Sequence, residues 1–470
     1  MLYILIFLAF FSNTLEIPGT YKRPHQPKTQ FQEQNEKLSD LSGDCGPSLT
    51  YSFENQVLSI NGEGTMYSYS IDNQSPWYSI RDRVKTVNLP QGLETIGSYS
   101  FHNCRNLESI TIPENVKSIE NSAFSSCSSL TTITIPSKVT AINDNLFNSC
   151  GKLSSIQFLG QIETIGSFSF FYCQNLISLH LPDSLKTIGD SSFYLCSSLQ
   201  SIVIPANTEA IGSKAFHSCS NLESITIPKK VTILKARLFT ECSKLSSIEI
   251  HDEIETIEPF VFSCCFNLRT FSIPPKVSVI QDSLFSVCSK LSTVKLHENV
   301  KSIESEAFLN CMSLSSIEIP ESLTSIGRGS FCNCITLASI TIPKNVVSIG
   351  RYAFLYCDEL STFYYLGSAD PTKGDIFAGT KIDKVYVTDN YKDKSFNNYQ
   401  VVVDPKESGK SYSKEIVLYL FIGLVVCGCL AIIFFTMFLV FLFKYLKRHK
   451  EGSDTQNTDK MATALLADNY

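Results

Sequence analysis

Cysteine is the residue whose chemistry recurs most regularly in this sequence. Of the 17 cysteines, most lie three places after a phenylalanine, and both residues recur every 23 positions without an insertion or a deletion. A regular row of thiols could form disulfides, bind a metal or fill an apolar core. The series comprises Phe101, Phe124, Phe147, Phe170, Phe193, Phe216, Phe239, Phe262, Phe285, Phe308, Phe331 and Phe354, followed in turn by Cys104, Cys127, Cys150, Cys173, Cys196, Cys219, Cys242, Cys265, Cys288, Cys311, Cys334 and Cys357.

The regular spacing favours a ladder of buried thiols, in which each cysteine fills the same packing site as a small apolar side chain. Disulfides between alternate neighbours are the open alternative, because stacked strands lie about 4.8 Å apart, within the Cα separation that a disulfide allows. A straight column does not converge four ligands on one metal ion, so we expect no metal site. Cys264 and Cys332 lie outside the series and could be reactive, and we interpret them as core or surface fillers.

A catalytic constellation is not evident. None of the seven histidines belongs to an H-E-x-x-H motif, and the sequence has no G-x-S-x-G elbow, P-loop or strand-linked G-x-G-x-x-G. The net charge of −6 offers no basic surface to a nucleic acid. We therefore expect a protein that is not an enzyme, with no catalytic or cofactor-binding residues, no cofactor and no nucleic-acid partner.

The elements that position the cysteines can be read from one unit. Ile110 and Ile112 share one face of an extended segment, because side chains alternate along a strand, and Pro113 ends that strand. Residues 123–127 are expected to form a short helical or 3₁₀ turn that brings Phe124 and its cysteine inward. A period of 20 to 29 residues with a Leu-x-x-Ile-x-Ile core is typical of a leucine-rich-repeat solenoid. We predict an α/β solenoid: a superhelix of 23-residue repeats with parallel strands.

The ends of the chain differ from the repeats. The first eleven residues are nearly all apolar, as in a signal peptide. Residues 416–443 form a run of 28 without a charge, enough for one C-terminal transmembrane helix, and Lys444, Lys447 and Arg448 follow it as on a cytoplasmic flank. The predicted segments are a signal peptide (1–14), a flexible leader (15–44), an N-terminal cap (45–80), the leucine-rich-repeat solenoid (81–365), a C-terminal cap (366–403), a stalk (404–415), the transmembrane helix (416–443) and a cytoplasmic tail (444–470).

One outward column of the predicted sheet is variable in residue type. The column before it holds only Ser or Thr, whereas this one, between the two inward isoleucines, admits acids, bases, amides and an aromatic residue. Solenoids commonly bind partners along an extended face, and unconstrained solvent positions are the alternative explanation. We interpret the replacement of the strand-ending Pro by Leu159, His251, His297 and Leu366 as tolerated edge variation. The predicted ligand-binding residues are Gln157, His180, Glu249, Lys295, Glu318 and Tyr364.

The repeat unit resembles the BspA-like class of leucine-rich repeat. The unit from Leu107 to Cys127 has the pattern Leu-x-x-Ile-x-Ile-Pro-x-x-Val-x-x-Ile-x-x-x-x-Phe-x-x-Cys, and the segments beginning at Cys45 and Ser75 are similar to that family's leading segment. The resemblance covers about residues 45–400. It implies surface adhesion to host cells, to extracellular-matrix proteins such as fibronectin or fibrinogen, or to other microbes. A single-pass anchor with a short tail is similar to the protist members.

The sequence and the resemblance together predict a type I protein of the plasma membrane. Its repeats would form an extracellular adhesin or ligand-binding domain, with one membrane span and a short cytoplasmic tail. The expected partner is an extracellular protein or a cell-surface ligand. A non-binding variable coat protein and an endocytic or signalling receptor for a soluble ligand are the alternatives. The identity of the ligand and the oligomeric state do not follow from the sequence.

Overall fold

A computed structural model describes residues 41–404 of the chain. The predicted signal peptide (1–14), transmembrane helix (416–443) and cytoplasmic tail (444–470) lie outside the described residues, as does most of the leader and of the stalk. Between residues 41 and 404, no helix combines the length and apolar character that a membrane span needs.

The described chain consists almost entirely of short strands joined by turns. A single 3₁₀ helix, Tyr78–Arg83, is its only helix. In chain order the strands are β1 (Leu41–Gly46), β2 (Leu49–Glu54), β3 (Val57–Thr65), β4 (Thr86–Asn88), β5 (Gly92–Ile96), β6 (Ser109–Ile110), β7 (Ser118–Ile119), β8 (Thr132–Ile135), β9 (Ala141–Ile142), β10 (Ser155–Phe158), β11 (Thr164–Ile165), β12 (Ser178–His180), β13 (Thr187–Ile188), β14 (Ser201–Val203), β15 (Ala210–Ile211), β16 (Ser224–Thr226), β17 (Ile233–Leu234), β18 (Ser247–Glu249), β19 (Thr256–Ile257), β20 (Thr270–Ser272), β21 (Val279–Ile280), β22 (Thr293–Lys295), β23 (Ser302–Ile303), β24 (Ser325–Ile326), β25 (Ser339–Ile342), β26 (Ser348–Ile349), β27 (Thr362–Tyr365), β28 (Lys384–Val387), β29 (Ser395–Phe396) and β30 (Tyr399–Val403).

Each 23-residue repeat makes one coil with three sides. The first side holds a strand such as β8, which pairs in parallel with the strand of a neighbouring coil, Thr132 opposite Ser155. We call the outer surface of these strands the sheet face. The second side holds a two-residue strand such as β11, which pairs in parallel with β9 and β13. Parallel pairing in a one-repeat register confirms the predicted solenoid of 23-residue repeats.

The third side, which we call the Phe edge, is not helical as predicted. Backbone N–H groups there bond to the next coil: Phe101 N–H donates to the Ala123 carbonyl (2.9 Å) and Asn103 N–H to the Ser125 carbonyl (2.8 Å). The equivalent bonds recur at every coil as far as Phe354 and Tyr356. The intervening amides close single turns, as Cys127 N–H does to the Phe124 carbonyl (3.2 Å), but these turns alternate with the bonds to the next coil and do not build a helix. The α/β assignment was therefore wrong in its helical part, and the fold is a parallel-strand β-solenoid.

The Phe edge requires left-handed backbone at two positions in every coil, two residues before and two residues after the phenylalanine. Tyr99, before Phe101, has φ 54°, and Asn103, after it, has φ 62°. Positive φ values recur at the equivalent positions of every later coil, for example at Gly329 (φ 58°) before Phe331 and at Val287 (φ 64°) after Phe285. This conformation costs a residue with a Cβ atom roughly 1–2 kcal/mol. The bonds to the next coil offset that cost.

Stacked aromatic rings run through the core along the Phe edge. The rings of Phe193 and Phe216 lie 5.4 Å apart with an interplanar angle of 2°. Phe331 and Phe354 repeat this geometry at 5.4 Å and 2°. Parallel stacking at this separation lies within the favourable range for aromatic pairs. Every phenylalanine of the series is fully buried, so each ring is covered by its neighbours above and below.

The cysteine column is made of free thiols. From Cys127 onward each thiol donates to the carbonyl of the phenylalanine in the preceding coil, as Cys127 Sγ does to Phe101 (3.2 Å) and Cys288 Sγ does to Phe262 (3.0 Å). Burial raises the pKa of the Cys150 thiol to about 12, so the column stays protonated and can donate. The cysteines thus fill the core, as the sequence favours, and also satisfy a buried carbonyl.

Dissimilar caps close the two ends of the stack. At the N-terminal end β1, β2 and β3 form an antiparallel sheet, and β1 begins at Leu41, before the boundary expected at Cys45. Trp77 is fully buried, stacks on Phe101 at 5.9 Å and donates its indole N–H to the Ser100 carbonyl (2.7 Å). At the other end Phe377 stacks on Phe354 at 6.2 Å. Both caps therefore continue the aromatic column.

The left-handed positions predict an asymmetry between two glycines. Gly329 has φ +58°, with no atom closer than 3.7 Å to an added Cβ, so Gly329→Val meets only backbone strain. Because a β-branched residue is poorly tolerated there, we expect it to lower the free energy of unfolding by about 1–2 kcal/mol. Gly151 also has open space around an added Cβ, and its φ lies outside the left-handed range, so Gly151→Val is the matched control and should cost less than about 0.5 kcal/mol. Urea unfolding of both variants measures the difference, and equal costs would contradict the left-handed assignment.

The thiol column predicts a two-stage labelling pattern. We expect a small thiol-alkylating reagent at neutral pH to label half-buried Cys264 and Cys332 in the folded chain, and the column cysteines only after unfolding in urea. Peptide mass mapping of the unreduced chain identifies which cysteines are labelled before and after unfolding. A peptide pair linked through Cys127 and Cys150 would establish disulfides instead.

Candidate functional site

The sequence-predicted binding residues lie along the sheet face. Five of them are exposed, and Tyr364 is half-buried because its ring stacks on Tyr386 at 5.0 Å. The structure brings Glu249 and Lys295 to one groove, described below, on coils separated by the coil of Ser272. Gln157, His180 and Glu318 belong to other coils and do not line this groove.

Hydrogen bonding across the sheet face is interrupted, unlike that along the Phe edge. The strands pair two by two: β8 with β10, β12 with β14, β16 with β18 and β20 with β22. No ladder joins β18 to β20. Coils that are continuous at the Phe edge can therefore separate at the sheet face.

A groove opens between β18 and β20, with a cavity volume of about 650 Å³. This volume lies within the 300–1,000 Å³ that is usual for ligand sites. The groove is lined by Ile248, Glu249, Ile250, His251, Asp252, Thr270, Phe271, Ser272, Ile273, Pro274, Thr293 and Lys295. Apolar floor and charged walls thus occur together at one place on the sheet face.

His251 shapes one wall of the groove. It stands where most repeats have the strand-ending proline, and its Nε2–H donates to the carbonyl of Pro228 in the preceding coil (2.9 Å). Its Nδ1 accepts from the Glu253 N–H (3.2 Å), so both ring nitrogens have a hydrogen-bond partner. This hydrogen bond holds the end of β18 close to the preceding coil rather than to the next one. His251, which the sequence analysis interpreted as tolerated edge variation, therefore lines the groove.

Phe271 forms part of the apolar floor of the groove. The equivalent inward position is aliphatic in the other coils from Ile110 to Ile340. The larger Phe271 ring inserts between Phe262, at 4.9 Å and 54°, and Phe285, at 5.0 Å and 62°. The Phe262 and Phe285 rings nevertheless lie 5.6 Å apart, as elsewhere in the column, and Phe363 occupies the equivalent position in β27, which pairs with β25. Together with the missing proline, this departure from the repeat is the sequence signal for the groove.

The groove combines apolar contact with charges of both signs. Ile248 and Ile250 are only half-buried, in contrast to the isoleucines at most equivalent positions. The Glu249 carboxylate accepts from the Thr226 hydroxyl (3.0 Å), which orients it on the sheet face. Lys295 is exposed on the other side of Ser272. This arrangement suits a ligand with apolar side chains and both an acidic and a basic group.

A second polar cluster lies on the Phe edge and has the residue types of a catalytic triad. His217 Nδ1 lies 2.7 Å from the Ser218 hydroxyl, which donates to the Glu241 carboxylate (2.7 Å). In a nucleophilic triad the histidine lies between serine and acid and accepts the serine proton. Here Ser218 lies between His217 and Glu241, and its hydroxyl proton points to the Glu241 carboxylate. The arrangement therefore does not activate Ser218 as a nucleophile.

Aromatic side chains surround this cluster, which the sequence analysis did not identify. Phe168 and Tyr172 are exposed, and Phe171 contacts Phe168 at 6.0 Å and Tyr194 at 5.2 Å. Tyr194 in turn contacts His217 edge-on at 4.5 Å. Most coils have Ser, Asn or charged residues at the positions of Phe168 and Tyr172, so these two aromatic departures were visible in the sequence.

The stacked coils, the capped ends and the Leu-x-x-Ile-x-Ile strands define a leucine-rich-repeat solenoid. The family model described as "BspA type leucine rich repeat region (6 copies)" matches residues 77–197, 163–292 and 280–401. The chain belongs to this family, which confirms the resemblance found in the repeat unit. No curated protein sequence matches the chain.

The chain is similar to several solved structures. A leucine-rich repeat protein from Bacteroides ovatus is 25% identical, with a TM-score of 0.57, over 76% of this chain and 98% of its own. A leucine rich cell surface protein from Faecalibacterium prausnitzii is 22% identical, with a TM-score of 0.42, over 79% of this chain and 97% of its own. The pneumococcal vaccine antigen PcpA is 19% identical, with a TM-score of 0.43, over 75% and 88%.

Buried His217 predicts acid sensitivity. Burial, with Arg237 and Lys214 nearby, lowers the pKa of His217 from 6.5 to about 3. The unfolded chain therefore binds a proton that the folded chain excludes, and this contribution to stability, on the order of 4 kcal/mol, is lost as the pH falls from about 6.5 towards 3. We expect His217→Phe to reduce the loss of stability in this range, measured by urea unfolding at a series of pH values. His180→Phe, at an exposed position, is the control and should follow the parent profile. A parent-like profile for His217→Phe would contradict the assignment.

Proposed function

We propose that this protein is a cell-surface adhesin or ligand-binding protein that binds an extracellular protein or cell-surface ligand through its sheet face. The observation that carries the proposal is the groove between β18 and β20, where Glu249 and Lys295 meet an apolar floor. The resemblance to surface-adhesion proteins of the BspA-like class supports the same function. No catalytic role is part of the proposal.

The proposed location is the plasma membrane, with the solenoid outside. Its support is the 28-residue uncharged run at 416–443 and the basic residues Lys444, Lys447 and Arg448 that follow it. The apolar residues 1–11 support export of the repeats. An antibody to the solenoid should label intact, unpermeabilised cells, whereas an antibody to the tail should label only permeabilised cells.

Two other functions make different predictions. A variable coat protein would be displayed without binding a host ligand. An endocytic receptor would bind a soluble ligand and would need residues 444–470 for uptake. The groove favours binding over a coat role, because a spacer has no use for an interruption in its repeat.

The binding test uses charge reversal in the groove. Cells displaying the full chain are expected to adhere to host epithelial cells or to immobilised fibronectin or fibrinogen. Glu249→Lys and Lys295→Glu should each weaken adhesion at least tenfold at equal surface density, because reversing a complementary charge replaces attraction by repulsion. Thr134→Lys, an equally exposed position of the same column, is the control and should adhere like the parent. Absence of adhesion by the parent chain to all three targets would favour the coat, and equal adhesion by all variants would place the binding surface elsewhere.

A further inference from the structure

The groove lacks a hydrogen bond that the strand pairs on either side of it make. Among the described coils the bond is also absent between Ile204 and Thr226, but there the inward Ile202 stays buried, whereas Ile248 in the groove is half-buried. Ile227 N–H donates to the Glu249 carbonyl in the next coil (2.8 Å), and Ile273 N–H donates to the Lys295 carbonyl in the same way (2.9 Å). Ile250 occupies the equivalent position between them, and its N–H makes no such bond to Ser272 in the part of the chain that the structure describes. The strands β18 and β20 thus face each other across the groove as two sheet edges.

An unpaired strand edge is a template for another strand. Its main-chain donors and acceptors bind any extended peptide that approaches in register, and the side-chain pockets select among such peptides. Here two edges face each other, so a single strand between them would gain hydrogen bonds on both sides. The same strand would cover the half-buried Ile248 and Ile250.

We propose that the groove binds an extended peptide segment of a partner protein, which adds as a strand between β18 and β20. This inference rests on the proposed function and specifies the class of its ligand. Alternate side chains of the peptide would point to the floor at Ile248 and Phe271, and the others would point outward beside Glu249 and Ser272. Charge complementarity places a basic peptide residue near Glu249 and Asp252, and an acidic one towards Lys295.

A peptide from the chain itself supplies a probe with a known pairing partner. Residues 222–229, Leu-Glu-Ser-Ile-Thr-Ile-Pro-Lys, contain the strand β16, which pairs in parallel with β18 in the folded chain. A fluorescent synthetic copy carries both signs of charge and the alternating apolar pattern. We expect it to bind the purified full-length chain in a saturable manner, measured by fluorescence anisotropy.

Two comparisons distinguish strand addition from other binding. A peptide N-methylated at the residues equivalent to Ile225 and Ile227 keeps every side chain and loses main-chain donors, so it should bind at least tenfold more weakly. In the protein, Ser272→Arg places a long side chain in the groove and should weaken binding of the unmodified peptide at least tenfold. Thr134→Arg, at the equivalent position of the paired strand β8, should not.

The outcomes separate this inference from the function on which it rests. Equal affinity of the methylated and unmodified peptides, equal affinity of the two arginine variants, or no binding of the probe at millimolar concentration would each overturn strand addition. If the charge-reversal variants still lose adhesion in that case, the adhesin stands without its peptide ligand. Peptide binding that meets both comparisons, by a chain that adheres to no host target, would support strand addition and refute adhesion. The methylated peptide tests the parent protein, so the inference stays open to refutation even if Ser272→Arg fails to fold.

Discussion

The hydrogen bonds that run along the Phe edge are the constraint on which the rest of the molecule depends. They continue without a gap from Tyr99 to Tyr356, whereas the ladders of the sheet face and of the second side are interrupted. Maintaining them requires two left-handed residues in each coil and a constant length between those residues. This explains why the repeat tolerates many residue types at its surface and yet admits neither insertion nor deletion over its whole length. An extra residue would shift every subsequent donor away from its acceptor.

A solenoid held along one edge can vary elsewhere without losing its fold. The stacked rings and the thiol–carbonyl bonds lie next to the continuous edge, and together they fix the spacing of successive coils. The sheet face is then free to separate locally, as it does between β18 and β20. The groove is lined by two departures from the repeat, His251 and Phe271, in a structure that remains regular on its opposite side. In a globular protein, comparable changes would disturb a shared core.

Much of the fold could be predicted from the sequence, because the strict periodicity extends the structure predicted for one repeat to all the others. The inward direction of Ile110, Phe124 and Cys127 follows from the alternation and the spacing. The cap that contains Trp77 follows from the need to cover the open apolar end of a solenoid. The conformation of the Phe edge could not be predicted, since its left-handed positions hold Tyr, Ser, Lys and Phe as well as Asn and Gly. The site was predictable only in part. Residue variability pointed to Glu249 and Lys295, but the groove near them is also lined by His251 and Phe271 on adjacent coils, a combination that no single column reveals.

Trp77 makes tryptophan fluorescence sensitive to one end of the solenoid only. It is the only tryptophan in the sequence, and it lies at one end of the aromatic column, in contact with Tyr51, Tyr69 and Phe101. Repeat proteins can lose structure coil by coil from their ends, because each coil is stabilised only by its neighbours. Indole emission therefore monitors fraying at the N-terminal end, while circular dichroism averages over all coils. A difference between the two transitions would measure how far cooperativity extends along the stack.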